Sequence, residues 1–394
     1  MIFCKGEVSS IAHIKQSLTE FEALSGLSPS PTKSHIFFSG VNPSTKVSIL
    51  NILGFQEDSL PVRYLGVPLL SSKLKHTDCK VMVDRIVGKT KSWTHRYLSY
   101  AARIRLIKSI LFSMQTYWSS LFIIPKKVMK EIDSILRAFF WSSHDLKKTS
   151  AKLSWEHLCS PVKEGGLGFK SLEVWNKAVV AKHIWFLVSG GEQSMWCQWV
   201  KSYLLKDKSF WSVKIPCDFS WVWRKHLNLR SVVQAHIKYK IGDAQSTSLW
   251  FDNWHLLGPL SPRFGPRVIY DSRLPKDSTV KDIIRSNHWA SPTAQSPDLN
   301  EIRSDLQTIP INDSIGDSCL WTLTASSKFT ISSLWDHLRT HFPVIIWCKV
   351  VWFSRHIPRC SEISWMTILN KLVTEDRLVK FGVVASVTNS VTWP

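Results

Sequence analysis

Phosphate chemistry with divalent ions needs clustered carboxylates, because two cations a few ångströms apart must be held by acids. The adjacent acidic pairs in this chain are Glu57-Asp58 and Glu375-Asp376. Both sit among polar residues and read as solvated rather than as metal seats. Cys348, His356 and Cys360 could supply three metal ligands. Structural zinc wants four, with at least one closely spaced pair. Buried thiols and a surface histidine are the better reading, and no metal is expected. Gly165-Gly166-x-Gly168 suggests a phosphate loop, but no Lys-Ser/Thr follows and the spacing is not that of a dinucleotide fold. It reads as a turn before a helix. No nucleophile–base pattern stands out, so no catalytic residue and no cofactor are assigned.

Charge carries more information. Lys and Arg outnumber Asp and Glu by 50 to 30 over 394 residues, a formal +20. From Lys73 to Lys152 there are 17 basic and 5 acidic residues, more than half of the excess in a fifth of the chain. Such a patch favours an anionic partner, RNA or DNA first; the bland alternative is a solvated basic surface. The 20 tryptophans suit packing better than twenty stacking sites. The eight cysteines include no Cys-x-x-Cys and no signal peptide precedes them. Reduced thiols in an intracellular protein are expected, nuclear and cytoplasmic both remaining open. No apolar stretch reaches the roughly 18 residues that span a bilayer, so no membrane partner is expected.

These residues need elements to hold them. Met1 to Cys4 reads as a short strand. A helix follows, capped at Ser9 or Ser10, with Ile11, Ile14, Leu18, Phe21 and Leu24 on one face and Gly26 at its end. Strands are expected at 35–38 and 63–70. From about His76 the period turns helical. Tyr100, Ile104, Ile107, Leu111, Met114 and Trp118 form one apolar stripe, with Arg105 and Lys108 off it. A second helix spans about Lys126 to Trp141, started by Pro125. A third opens at Ser171 and stops at Gly190-Gly191. Residues 257–317, rich in Pro, Ser and Asp, read as a linker. The last module shows strand-like runs at Cys319–Leu323 and Lys328–Ile331, then helices.

Several of these segments together resemble the C-terminal half of plant LINE-like (non-LTR) retrotransposon reverse transcriptases. They are Leu24-Ser-Gly-Leu27, Ser30-Pro-Thr-Lys-Ser34 (the family has Asn at the place of Ser30), Arg63-Tyr-Leu-Gly-Val-Pro68, Lys91-Ser-Trp93 and Leu98-Ser-Tyr-Ala-Ala-Arg103. Lys163-Glu-Gly-Gly-Leu-Gly-Phe169, Asn176-Lys-Ala178, Ile241-Gly-Asp243 and Trp250-Phe-Asp-Asn-Trp254 continue the series, and about Trp321 to Gly382 is similar to the zinc-binding module of these polyproteins. Each motif is weak alone, but their order covers nearly the whole chain.

The resemblance implies an α+β fold. Residues 1–72 would be a remnant of the polymerase palm with its primer-grip strand. Residues 73–256 would be a helical thumb-like and connecting region, 257–317 the linker, and 318–394 a truncated zinc-binding-like module. Met1 falls just after the family's catalytic aspartates. The family's Cys-x-x-Cys would follow the last helix, where this chain reads Ser386 to Pro394. A non-catalytic piece without metal is therefore expected, not an enzyme in its own right. Lys33 matches a lysine placed near the leaving pyrophosphate. Lys89, Lys91, Arg96, Arg103, Arg105, Lys108, Lys126 and Lys127 would face a primer-template duplex through sequence-independent phosphate contacts. The alternatives are a polymerase or ribonuclease H-related enzyme completed by parts supplied elsewhere, and a gene-model product that never folds stably.

Overall fold

The computed structural model describes residues 2–70, 72–94, 97–141, 151–191, 194–206, 208–215, 220–286, 288–290 and 296–372. The fold is α+β, mainly helical, and its four sheets among the described residues have two strands each. Two units are compact in themselves, residues 1–73 and 74–394.

In the first unit, α1 (Val8–Ser25) ends at Gly26, whose φ of 70° lets its N–H reach the Glu22 carbonyl. A parallel pair, β1 (His35–Ile36) with β2 (Gln56–Glu57), flanks α2 (Pro43–Leu53). α2 starts with Asn42 as cap and Pro43 in its first turn. Ile11, Ile49 and Leu53 form the buried centre. The segment expected as one strand at 63–70 is a hairpin, β3 (Val62–Tyr64) and β4 (Val67–Leu69). Leu65 and Gly66 both take positive φ, as a two-residue hairpin turn requires. The strand expected at the N-terminus is not formed: residues 2–5 are exposed and unpaired. A four-residue apolar run gains nothing from extension unless a neighbouring strand takes its amides.

The second unit begins with a helical bundle. α3 (His76–Thr94) packs on α6 (Lys126–Trp141). Between them the chain forms α4 (Tyr100–Leu106), a π-helical turn at Ile107–Leu111, and α5 (Phe112–Leu121). The helix expected from the Tyr100 to Trp118 stripe thus starts at the Ser99 cap and widens midway. Its apolar stripe still faces inward: Ile104, Ile107, Leu111 and Trp118 are buried. α7 (Trp155–Cys159) and a 3₁₀ turn lead to α8 (Leu172–Val188). Asn176 on α8 closes the bundle. Its amide donates to the Ser119 and Phe122 carbonyls and accepts from the Ile124 N–H, satisfying the end of α5.

α8 also starts the second core. α9 (Met195–Trp199) runs into a π-helix over Val200–Leu205, then come α10 (Trp221–Gln234) and β5 (Ile237–Lys240). The expectation of a linker over 257–317 is overturned. This segment holds α11 (Leu260–Phe264), α12 (Arg267–Ser272), the hairpin β6 (Ile284–Arg285) with β7 (His288–Trp289), and α13 (Pro297–Leu306). Leu260, Val268, Val280, Ile283, Leu299, Ile302 and Leu306 are buried in one cluster with Trp250, Trp254 and Trp321. Its prolines and serines begin helices: Pro259 and Pro266 sit at N-caps, and Ser296 caps a helix with Pro297 at its first position.

β8 (Ser318–Trp321) pairs antiparallel with β5, in register Ile237 to Trp321. The boundary expected at 317/318 therefore falls at the start of a sheet strand. The second strand expected at Lys328–Ile331 is a loop that enters α14 (Ile331–Leu338) through the Thr330 cap. Its Phe329 stacks on Trp185, and packing rather than strand pairing sets its position. α15 (Cys348–Val351) and α16 (Pro358–Ile368) complete the described chain. Among the described residues no helix is long and apolar enough to cross a membrane.

Candidate nucleic-acid interface

α3 turns Cys79, Met82, Val83, Ile86 and Thr90 inward. Lys80, Arg85, Lys89 and Lys91 are left exposed. α6 buries Val128, Met129, Ile132, Leu136 and Phe139, which leaves Lys126, Lys127, Lys130 and Arg137 exposed. His76 and Glu131 tie the two helices with a 2.6 Å contact. The cations of the basic stretch are thus what remains outside once two amphipathic helices bury their apolar faces.

The expected site residues divide. Lys89, Lys91, Arg105, Lys108, Lys126 and Lys127 are exposed. Lys126 lies 4.0 Å from the Glu173 carboxylate, which also pairs with Lys177 at 3.1 Å. Two lysines in the first turn of α6 oppose the helix dipole, and Glu173 offsets that repulsion. Lys108 is solvent-accessible as a residue, but partial desolvation of its ammonium, with Arg105 nearby, lowers its pKa. Arg96 lies outside the described residues. Lys33 is exposed in the first unit, its N–H closing a turn onto the Ser30 carbonyl.

Arg103 does not face a duplex. It is buried, its guanidinium 3.3–3.4 Å from the carbonyls of Phe139 and Phe140 and over the Tyr100 ring. It satisfies carbonyls at the C-terminal end of α6, where a cation is favoured. Lys170 is likewise withdrawn, boxed by Trp175 at 3.7 Å, Phe112 and Trp335. Sequence reasoning missed Lys80, Arg85, Lys130 and Arg137. Their signal was available in their positions off the apolar stripes of α3 and α6.

The acids are mostly apart, but Asp252, Asp277 and Asp317 line one cavity, and Asp317 lies near enough to Asp252 to disfavour its charge. Glu57 pairs with Lys46, and Asp58 lies 4.0 Å from His35; Glu375-Asp376 falls outside the described residues. Asp252 is buried, which raises its pKa to about 7 against the opposing hydrogen bond from the Ser248 N–H. Burial also raises Asp133, to about 6, and Glu362, to about 8. Asp317 goes the other way. Burial works against its charge, but hydrogen bonds from Gly242, Ala244, Ser246 and Thr247 outweigh it and lower its pKa. This carboxylate is the hub of the loop between β5 and Trp250, tying residues 242–247 to the start of β8, 70–75 residues away in sequence. Among the described residues no three His, Cys, Asp or Glu side chains are placed to hold a metal ion.

The Gly165–Gly168 turn spends its amides internally. Gly165 donates to the Val162 carbonyl, Gly166 to Pro161 and Gly168 to Ser160, so no nest is left for a phosphate. A Cβ on Gly166 would lie 2.2 Å from the Ser160 carbonyl oxygen. The turn instead anchors the C-terminal helices. Glu164 takes both Arg339 nitrogens at 2.6 Å and the Phe342 N–H at 3.1 Å, while the Gly165 carbonyl accepts from Trp365 Nε1 at 2.8 Å. Both side chains of the ion pair are nearly inaccessible, at 6% and 3%.

The helices held by that turn lie in a segment with a family match. Residues 329–390 match the family described as zinc-binding in reverse transcriptase. The chain is a retroelement-derived protein with a reverse transcriptase zinc-binding module. A putative ribonuclease H protein of Arabidopsis thaliana is 25% identical over 326 residues, 79% of this chain and 51% of that relative. An uncharacterized mitochondrial protein of the same plant is 27% identical over 143 residues, 36% of this chain and 92% of its own length. The chain therefore spans about half the length of the longer match.

The zinc that this module's description implies does not fit the donors present. Cys348 starts α15, Cys360 lies exposed on α16, and His356 is turned onto the Phe353 carbonyl at 2.8 Å and against Trp352. Residues 373–390 add Glu375 and Asp376 but no cysteine or histidine. A four-ligand site built on thiolate and imidazole lacks its set.

Proposed function

We propose that this retroelement-derived chain binds RNA or DNA without reading sequence, through the exposed cations of α3 and α6, and that it does not itself transfer phosphoryl groups. One observation carries the reading: within the most basic fifth of the sequence, α3 and α6 pack on each other, bury their apolar faces and leave eight cations outside. Lysine and arginine contacts to phosphates release counterions, so affinity depends steeply on salt. The absence of catalysis rests on the acids. Asp133 is half-buried, Asp252 and Glu362 are buried, and Asp317, beside Asp252, is committed to holding a loop; no three of these acids converge among the described residues.

Fluorescence anisotropy with a labelled 20-base-pair duplex of arbitrary sequence tests binding. Affinity is expected to fall linearly on a double-logarithmic plot as salt rises, with a slope of about −0.9 for each phosphate contacted. No binding at low salt would overturn the reading. Polymerisation is tested by primer extension with Mg²⁺ and Mn²⁺. Cleavage of an RNA–DNA hybrid tests the activity in the longer relative's name. Both are expected to be at background, and either activity, abolished by no contaminant control, would refute the non-catalytic assignment.

A further inference from the structure

The rings of His236 and His337 meet at an unusual place. His236 immediately precedes β5, its backbone pinned by its own N–H to the Val233 carbonyl and by the Thr322 N–H to its carbonyl. Its ring stands edge-on to the buried Trp321. His337 lies on the last turn of α14, two residues before Arg339, which is locked to Glu164. Although 101 residues apart in sequence, the two rings bring their Nε2 atoms to 3.0 Å, with centroids 4.2 Å apart and planes at 70°.

Two neutral imidazoles can share that contact only if one donates a proton and the other accepts it. A transition-metal ion can take the place of the shared proton. We propose that His236 and His337 form a bidentate site for a divalent transition-metal ion, copper(II) or nickel(II) in preference to zinc. The N···N distance sets the preference. With metal–nitrogen bonds of about 2.0–2.1 Å, a 3.0 Å separation subtends about 91–97°, near the cis angle of square-planar or octahedral ions, whereas a tetrahedral site needs about 3.3–3.4 Å.

His337 is exposed, so its ring is free to turn its lone pair toward a common point, while His236 is held against Trp321. Asp336, the carboxylate next to His337, is engaged by Arg339 Nε at 2.7 Å. Among the described residues no third His, Cys, Asp or Glu joins the pair, so the remaining ligands of a bound ion would come from solvent. The site is thus distinct from the missing four-ligand zinc set, and it ties β5 to the reverse transcriptase zinc-binding module.

The test is calorimetric titration of the full chain with Ni²⁺ at pH 7.5, paired with electron paramagnetic resonance of the Cu²⁺ form. One site with two nitrogen donors is expected. His236→Ala or His337→Ala should each weaken Ni²⁺ binding by roughly 10–100-fold or more and leave one coupled nitrogen. A triple Cys4→Ser, Cys348→Ser, Cys360→Ser variant should bind as the parent does. Metal should raise the melting temperature of the parent but not of His337→Ala, whose exposed position spares the fold. Unchanged binding in either histidine variant, loss in the cysteine variant, or no binding at micromolar Ni²⁺ would each overturn the site.

Discussion

Glu362 offers the sharpest test of the packing between α16 and the bundle. Its side chain is buried at 3% exposure, and its Oε1 has no hydrogen-bond partner. Burial raises its pKa from 4.5 to about 8, against the opposing hydrogen bond from the Ala101 N–H at the start of α4. The unfolded chain gives up this proton near pH 4.5, and the folded chain keeps it to about pH 8. Between those values the folded state binds more protons, so stability falls as pH rises, and it is flat on either side. A shift of this size corresponds to an upper bound of about 5 kcal/mol at 1.36 kcal/mol per unit. Relaxation and water reaching the carboxylate bring the realistic cost to about 2–4 kcal/mol. Glu362→Gln keeps the shape and the acceptor for the Ala101 N–H but cannot ionise. Urea melts from pH 4 to 9 should show the variant nearly equal to the parent at pH 4 and about 2–4 kcal/mol more stable at pH 8.5, or about 4–8 °C in thermal melts. Parallel pH profiles for the two proteins would refute the assignment of a neutral buried acid.

Other outcomes follow from the same geometry. Arg339→Met should cost about 3–5 kcal/mol, because it leaves Glu164 charged and unpaired in the interior, while Glu164→Met with Arg339→Met should cost less than the single change; a thermodynamic cycle by urea denaturation measures both. Gly166→Ala should destabilise by about 3 kcal/mol, since its Cβ meets backbone oxygen rather than a movable side chain, and proteolysis should then release the C-terminal helices first. Lys89→Glu with Lys91→Glu should weaken duplex binding and reduce its salt slope by about 2, with the melting temperature almost unchanged. Arg103→Ala should do the reverse, lowering stability by about 1.5–3 kcal/mol through the lost carbonyl contacts and leaving the salt slope intact.

The basic helices were legible in the sequence because their periodicity is strong and cations off the stripe have no alternative to solvent. Helix stops at Gly26 and Gly190 were legible for the same local reason, each taking positive φ. Arg103 was not legible as an interior residue. A long side chain one helical turn after Ser99 gives no sign that its charge will end at the carbonyls of α6, 36 residues away. Residues 257–317 misled because Pro and Ser were counted as composition rather than read by position. Pro297 directly after Ser296 is a helix start, and Leu299, Ile302 and Leu306 behind it are the buried face that start serves. The two strands lost at the N-terminus and at 328–331 share a cause: apolar runs specify burial, and only a partner decides whether burial is achieved as strand or loop.

These misreadings lead to what holds the C-terminal helices. A zinc-binding module ordinarily draws folding energy from its metal, since ligands scattered in the unfolded chain converge only on the ion. Here the donor set is wanting, yet α14 and α16 are tied to the body of the second unit by charge and hydrogen bonds. Arg339 reaches Glu164 and Trp365 reaches the Gly165 carbonyl, both on the turn that Gly166 permits by having no side chain. Glycines that looked like a phosphate loop therefore do the work of a ligand cage, giving distant segments one common point of attachment. Order in these helices then depends on an intact Glu164–Gly166 turn and not on a chelator-sensitive ion. Added to the His337→Ala variant, which lacks the proposed histidine pair, EDTA should leave the far-ultraviolet circular dichroism and the melting midpoint unchanged, whereas Gly166→Ala lowers both. Loss of helix on chelation would mean that a metal outside these contacts bears the structure.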